Sequence, residues 1–161
     1  MIRVQLVGVR VEVPSNQPIM LLREDEGEGR RYLPIFIGSP EATAIFYALQ
    51  GMETPRPMTH DLFTTVLAQL GARITRVAIT DLSDGTYYAE IEIDAGGETH
   101  RISARPSDAV ALAVRAPQPV PLYAAEEVLE EAGVIFESEE EEEEIEQFRE
   151  FLDQVTPEDF A

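Results

Sequence analysis

The chain has 161 residues, with 12 basic against 31 acidic side chains and a formal net charge of −19. That length allows one ordinary domain, or one domain with a tail, and excludes two independent enzymatic domains. With 44% hydrophobic residues the body is globular, no apolar run approaches the roughly 20 residues of a membrane span, and zero cysteines exclude disulfides, thiolate metal sites and cysteine nucleophiles together.

Residues 2–13 alternate with a period of two through Val4, Leu6, Val9, Val11 and Val13, which predicts a half-buried strand bulged near Gly8. A turn over 14–18 leads to a strand at Ile19–Arg23, and the loop 25–30 returns the chain into a third strand, Tyr32–Ile37, completing a meander. Ser39-Pro40-Glu41 then reads as a helix start, with Ser39 as cap, for a helix that runs to Gln50 and stops at Gly51. Its Ala42, Ala44, Ile45, Phe46, Ala48 and Leu49 leave almost no polar face, so burial is expected. After Pro55-Arg56-Pro57, Thr59 is the expected cap of a second helix with the apolar stripe Leu62, Phe63, Val66, Leu67 and Leu70, ended by Gly71.

A second meander follows: Ile74–Asp81, a hairpin turn at Ser83-Asp84-Gly85, Tyr87–Ile93, and a third strand after Gly96-Gly97 ending near Ala104. Arg105-Pro106-Ser107-Asp108 opens an Ala-rich helix to Arg115. Strand, proline, acid and buried helix thus occur twice, and the fold expected is α+β, an internally duplicated meander-plus-helix unit. A short strand, Val120–Ala124, and a helix, Glu126–Ala132, close the domain, placed at residues 1–136. Residues 137–161 are the acidic tail, expected to hold an amphipathic helix with the seam Ile145, Phe148, Leu152 and Val155, docked on the body or on a second subunit.

Charge divides earlier, between residues 123 and 124. Residues 1–123 hold 15 acids and 11 arginines, whereas 124–161 hold 16 acids and one arginine. The body therefore carries −4 and can approach a polyanion, while the tail with Glu139–Glu144 repels one. Two roles stand open for the glutamate run: a solvated segment, and a mimic of a phosphate backbone that occupies a substrate groove. The start at Met1-Ile2-Arg3-Val4 runs directly into strand-like sequence, so a cytoplasmic location is expected.

Five side chains are candidates for chemistry. Glu41 and Asp108 fall at matching helix starts, where the helix dipole favours the ionised carboxylate, a form suited to a divalent cation and equally to capping. His60-Asp61 pairs one of two histidines with an acid at a helix start, an arrangement that serves as a base, a metal ligand or a polar cap. Arg105 precedes Pro106 and can fork onto a phosphate or pair with an acid. No phosphate-binding glycine loop or serine triad is recognisable.

The residues Leu33-Pro34-Ile35-Phe36-Ile37-Gly38 with Glu41-Ala42, Arg56-Pro57 with Thr59-His60-Asp61-Leu62, Asp84-Gly85-Thr86-Tyr87-Tyr88-Ala89, and Ala104-Arg105-Pro106-Ser107-Asp108-Ala109 resemble the bifunctional nuclease domain family over about residues 2–136. The resemblance implies a compact duplicated α+β fold, homo-oligomers, and cleavage of RNA and DNA, without assigning catalytic roles. Combined with the candidates above, it gives a nuclease reading in which Glu41, Asp61 and Asp108 hold Mg2+ or Mn2+, His60 moves a proton and Arg105 steadies the phosphate. No organic cofactor and no membrane partner are expected, and nucleic acid is the substrate expected in this reading. The alternative is a non-catalytic oligomeric or regulatory module in which the same residues cap helices.

Overall fold

A computed structural model of the chain describes residues 1–27 and 30–135. Eight strands form one mixed sheet in the order β6-β5-β4-β7-β1-β2-β3-β8. The first meander is β1 (Ile2–Glu12), β2 (Gln17–Glu24) and β3 (Arg31–Phe36), and the second is β4 (Ala72–Ser83), β5 (Thr86–Ala95) and β6 (Glu98–Ala104). The two are joined through β7 (Leu122–Ala124), antiparallel to β1 and parallel to β4, while β8 (Val134–Ile135) pairs with β3. Helices α1 (Ser39–Leu49) and α3 (Pro106–Arg115) each follow a meander, α2 (Thr59–Gln69) lies between the halves in sequence, and α4 (Glu126–Ala132) leads into β8. The class is α+β, as the sequence predicts. The expected tail helix lies outside the described residues.

Local chemistry explains the boundaries. The bulge falls between Leu6 and Gly8 of β1. Asp84 and Gly85 adopt φ of 51° and 75°, the left-handed pair a two-residue hairpin demands and glycine supplies without a Cβ penalty. Along β5, Ala89, Ile91 and Ile93 are buried while Glu90, Glu92 and Asp94 face the other way, the period of two that a half-covered strand requires.

Helices α1 and α3 pack against each other, α1 on β1 and β2 and α3 on β4 and β5. Ala42, Ala44, Ala109, Ala111 and Ala113 are buried, so small side chains let the two helices approach over Ile45, Phe46, Val110 and Leu112. Met20, Leu22, Leu33 and Ile45 reach zero exposure, and truncating any one to alanine removes about 2–5 kcal/mol.

Three helix details differ from expectation. Gly38, not Ser39, is the N-cap of α1, where the Glu41 carboxylate folds back over the cap and leaves no room for a Cβ. Met58, not Thr59, is the N-cap of α2, its N–H donating to Asp61 Oδ2 at 3.0 Å. Leu49 at the end of α1 is exposed, and in α2 no residue is buried: Leu62, Phe63, Val66 and Leu70 face outward while Leu67 is partly covered by the core.

Candidate functional site

Helix α1 is capped by Gly38, α2 by Met58 and α3 by Arg105, and three residues on from each cap stands an acid: Glu41, Asp61 and Asp108. Each carboxylate therefore sits where the first-turn N–H groups and the helix dipole favour its charged form. The packing of α3 against both α1 and α2 gathers the three helix starts into one region.

Arg105 holds this region together. Its Nε donates to Asp108 Oδ2 at 2.7 Å and its Nη2 to Glu41 Oε1 at 3.0 Å, joining residues 64 apart in sequence. On the opposite side of Asp108, Oδ1 lies 2.9 Å from His60 Nε2, so Glu41, Arg105, Asp108 and His60 form one continuous chain across α1, α3 and α2. His60 and Glu41 are each 14% exposed, whereas Arg105 is 65% exposed and presents its guanidinium to solvent. Hydrogen bonds that Arg105 donates to Asp108 first, and then to Glu41, raise its pKa, so the group stays cationic throughout the range in which proteins fold.

Asp61 takes a different course. Its Oδ1 accepts from Arg115 Nε at 2.7 Å, and the Arg115 side chain is only 6% exposed. Burial pushes the Asp61 pKa up, but the Arg115 hydrogen bond and the Met58 N–H together outweigh it and leave the carboxyl below its ordinary value. The trio expected to share a cation is thus divided: Glu41 and Asp108 turn to Arg105, and Asp61 turns to Arg115. Among the described residues no three His, Asp or Glu side chains converge as a metal site. Glu41 and Asp108 have the hard oxygen donors a Mg2+ or Mn2+ ion takes, but in this arrangement a cation competes with Arg105 for them.

Two residues of this region are not singled out by sequence spacing. Arg115 closes α3 and reads as an ordinary last-turn cation, yet among the described residues it is the arginine that pairs with Asp61. Gly38 reads as a simple break, but the Glu41 carboxylate folds back over it so closely that a Cβ at position 38 would collide with Oε2.

The geometry suits anion chemistry. With the tautomer that carries its proton on Nε2, His60 donates to Asp108 and leaves Nδ1 as the acceptor nitrogen of the ring. Arg105 supplies a solvent-facing fork beside two helix N-termini, a setting that favours phosphate oxygens.

Fold and site together define an α+β domain with a charged chain of residues strung across converging helix starts. The chain belongs to the bifunctional nuclease domain family, whose pattern matches residues 20–137. It is 50% identical, over 98% of its length and 96% of the relative's, to an uncharacterized protein of Mycobacterium tuberculosis found in two strains. Similarity extends at 24% identity to bifunctional nuclease 2 of Oryza sativa subsp. japonica, over 72% of this chain and 36% of the rice protein. Bifunctional nuclease 1 of Oryza sativa subsp. indica is 27% identical over 63% of this chain and 31% of its own length. This chain therefore spans about a third of the rice relatives it matches. No helix among the described residues is long and apolar enough to cross a membrane.

Proposed function

We propose that this protein is a nuclease that hydrolyses phosphodiester bonds of DNA, RNA or both in the cytoplasm. The observation that carries the reading is the connected His60–Asp108–Arg105–Glu41 chain, which brings a histidine, two carboxylates and a solvent-facing arginine side by side in a domain of the bifunctional nuclease family. In this reading Arg105 contacts a non-bridging phosphate oxygen, held in place by Glu41. His60 accepts a proton from the water that attacks phosphorus as the P–O bond to the leaving sugar oxygen breaks, that oxygen taking its proton from solvent, and Asp108 keeps the ring oriented. Asp61, paired with Arg115, fixes the start of α2 and so positions His60. A divalent cation such as Mg2+ or Mn2+ would be held by Glu41 and Asp108 in competition with Arg105, and would supply Lewis acidity toward phosphate oxygens.

The experiment compares cleavage of end-labelled single-stranded DNA and RNA by the purified chain in EDTA, Mg2+ and Mn2+, with Asp108→Asn and Arg105→Ala beside it. Metal-stimulated cleavage that falls by about 10²-fold or more in both variants, at unchanged melting temperature, is the expected result. Cleavage that survives in both variants removes the site assignment.

The mutual pairing of every charge in the site favours a second reading, a non-catalytic homo-oligomeric or regulatory module in which these residues lock helix starts. It calls for no turnover in any metal and for a stable assembly by light scattering.

A further inference from the structure

Arg56 stands on the connection between α1 and α2, two residues before Met58, the cap of the helix that carries His60. Its backbone is held from both sides. Pro55 and Pro57 flank it, a residue that precedes proline is confined to extended conformations, and the Thr54 hydroxyl donates to the Arg56 carbonyl at 2.5 Å. The side chain is exposed. Among the described residues no hydrogen bond, ion pair or ring contact engages its guanidinium. Each other described arginine has a partner, among them Glu24 for Arg31, the Tyr123 ring for Arg76 and the Gly27 carbonyl for Arg30. The acids nearest to Arg56 in sequence leave it free: Glu53 is exposed and makes no ion pair with it, and Asp61 is held by Arg115.

An unengaged cation at this place meets a need of the neighbouring cluster. Glu41 and Asp108 set two negative charges against the one guanidinium of Arg105, and the Asp61–Arg115 pair is neutral, so the cluster carries −1 when His60 is neutral. A polyanion gains no long-range attraction from such a cluster, and Arg105 has to divide its donors between two carboxylates and a phosphate. Arg56 supplies the missing charge within reach. Only four residues separate it from His60, so their Cα atoms lie no more than about 14 Å apart, the rise of about four phosphates along one stacked strand.

We propose that Arg56 binds a phosphate flanking the one held by Arg105, which makes the substrate a strand with at least two phosphodiesters and not an isolated diester. The proposal rests on the nuclease reading of the helix-start site and adds to it the class of substrate. The guanidinium forks onto non-bridging oxygens of the flanking phosphate, and the proline-fixed backbone limits what ordering it costs. Contacts of this kind position a strand without reading its bases, so the gain in affinity is independent of base sequence. Arg56 touches no reacting atom in this arrangement. It sets where the strand lies, and thereby which phosphodiester reaches His60.

The test measures binding in EDTA, by fluorescence anisotropy of a labelled oligothymidylate across a range of salt concentrations, for the full chain and for Arg56→Ala, Arg56→Lys and Arg30→Ala. Cleavage of the same oligonucleotide and of thymidylyl-thymidine, which has a single phosphodiester, is followed in Mg2+ and in Mn2+. Arg56→Ala is expected to weaken oligonucleotide binding about five- to ten-fold and to reduce the slope of log affinity against log salt by about 0.7, the contribution of one phosphate contact on a single strand. Arg56→Lys is expected to keep most of that slope, and an oligodeoxyadenylate to show the same loss as the oligothymidylate. Arg30, also exposed and on the loop between β2 and β3, is the control, and its substitution is expected to change neither quantity. In cleavage, the fall in kcat/KM caused by Arg56→Ala is expected to be at least about five-fold larger for the oligonucleotide than for thymidylyl-thymidine, and to lie in KM.

An unchanged salt slope in Arg56→Ala, an equal loss in Arg30→Ala, or an equal fall on both cleavage substrates overturns the proposal. So does a failure of the unsubstituted chain to bind the oligonucleotide. The two readings fail separately: Arg56-dependent binding without cleavage in either metal removes the nuclease reading and leaves the phosphate contact standing, whereas cleavage that is indifferent to Arg56 does the reverse. Equal melting temperatures across the variants exclude a folding cause.

Discussion

His60 Nε2 lies 2.9 Å from Asp108 Oδ1, although the two residues stand 48 apart in sequence and on different helices. That contact orients the imidazole from α3 and couples the base to the same carboxylate that grips Arg105. The proposed reaction depends on this one carboxylate in two ways, and the following outcomes are expected.

Asp108→Asn retains the shape of the side chain but removes the charge that holds both His60 and Arg105. Nuclease turnover is expected to fall by about 10²–10⁴-fold. Asp108 is 29% exposed, so the melting temperature is expected to move little; kcat and a thermal melt on the same preparation check both.

Gly38→Ala tests the positioning of Glu41 without touching a charged group. The added Cβ meets the Glu41 carboxylate, whose flexible end can swing aside, so the fold is expected to survive with a loss of no more than about 1 kcal/mol. Arg105 then loses its second anchor. KM for the nucleic acid is expected to rise while circular dichroism stays unchanged.

Arg115→Met leaves Asp61 without its buried partner. Asp61 is 39% exposed and keeps the Met58 N–H, which limits the penalty, and a loss of about 1–2 kcal/mol by urea denaturation is expected. In a double-mutant cycle with Asp61→Asn the second substitution is expected to cost much less than it does alone.

Acid sensitivity follows from two depressed carboxyls. Hydrogen bonding from Arg31 holds the Glu24 pKa below its ordinary 4.5 despite opposing desolvation, and Asp61 is held below its ordinary 3.8 by Arg115 and the Met58 N–H despite burial. A folded-state pKa below the unfolded one contributes stability that is present above the ordinary value and is lost as the pH falls through the lowered one. Stability is therefore expected to be level from neutral pH to about 5 and to decline below about 4.5, with a shallower acid slope in Glu24→Gln. Urea midpoints measured between pH 3 and 7 check it.

Much of the fold is legible in the sequence because local rules dominate there. Alternating Val4 to Val11, the Asp84-Gly85 turn and the prolines in the first turns of α1 and α3 each act over a few residues, and both meanders and the helices that follow them are where such local signals put them. Cap identity is less legible. Ser39 and Thr59 have the chemistry of caps, but the reach of Glu41 over Gly38 and of Asp61 to the Met58 N–H accompanies helix starts one residue earlier. The apolar stripe of α2 shows the same limit, since spacing identifies Leu62, Phe63, Val66 and Leu70 as one face without saying that nothing among the described residues covers it.

For the site, residue types and helix-start positions are properties of the sequence: Glu41, His60, Asp61, Arg105 and Asp108 are recognisable because acids at helix N-termini and an arginine before a proline have local causes. Partner choice is not local. Only the packing of α3 between α1 and α2 decides that Arg105 bridges Glu41 to Asp108, that His60 turns to Asp108 instead of its neighbour Asp61, and that Arg115 draws Asp61 away from the cluster. The charge follows the same division: composition alone sets −19 and its concentration beyond residue 123, whereas the sheet register alone aligns Arg3, Arg23 and Arg76 on one face, because side-chain direction in a strand is fixed by pairing and not by composition.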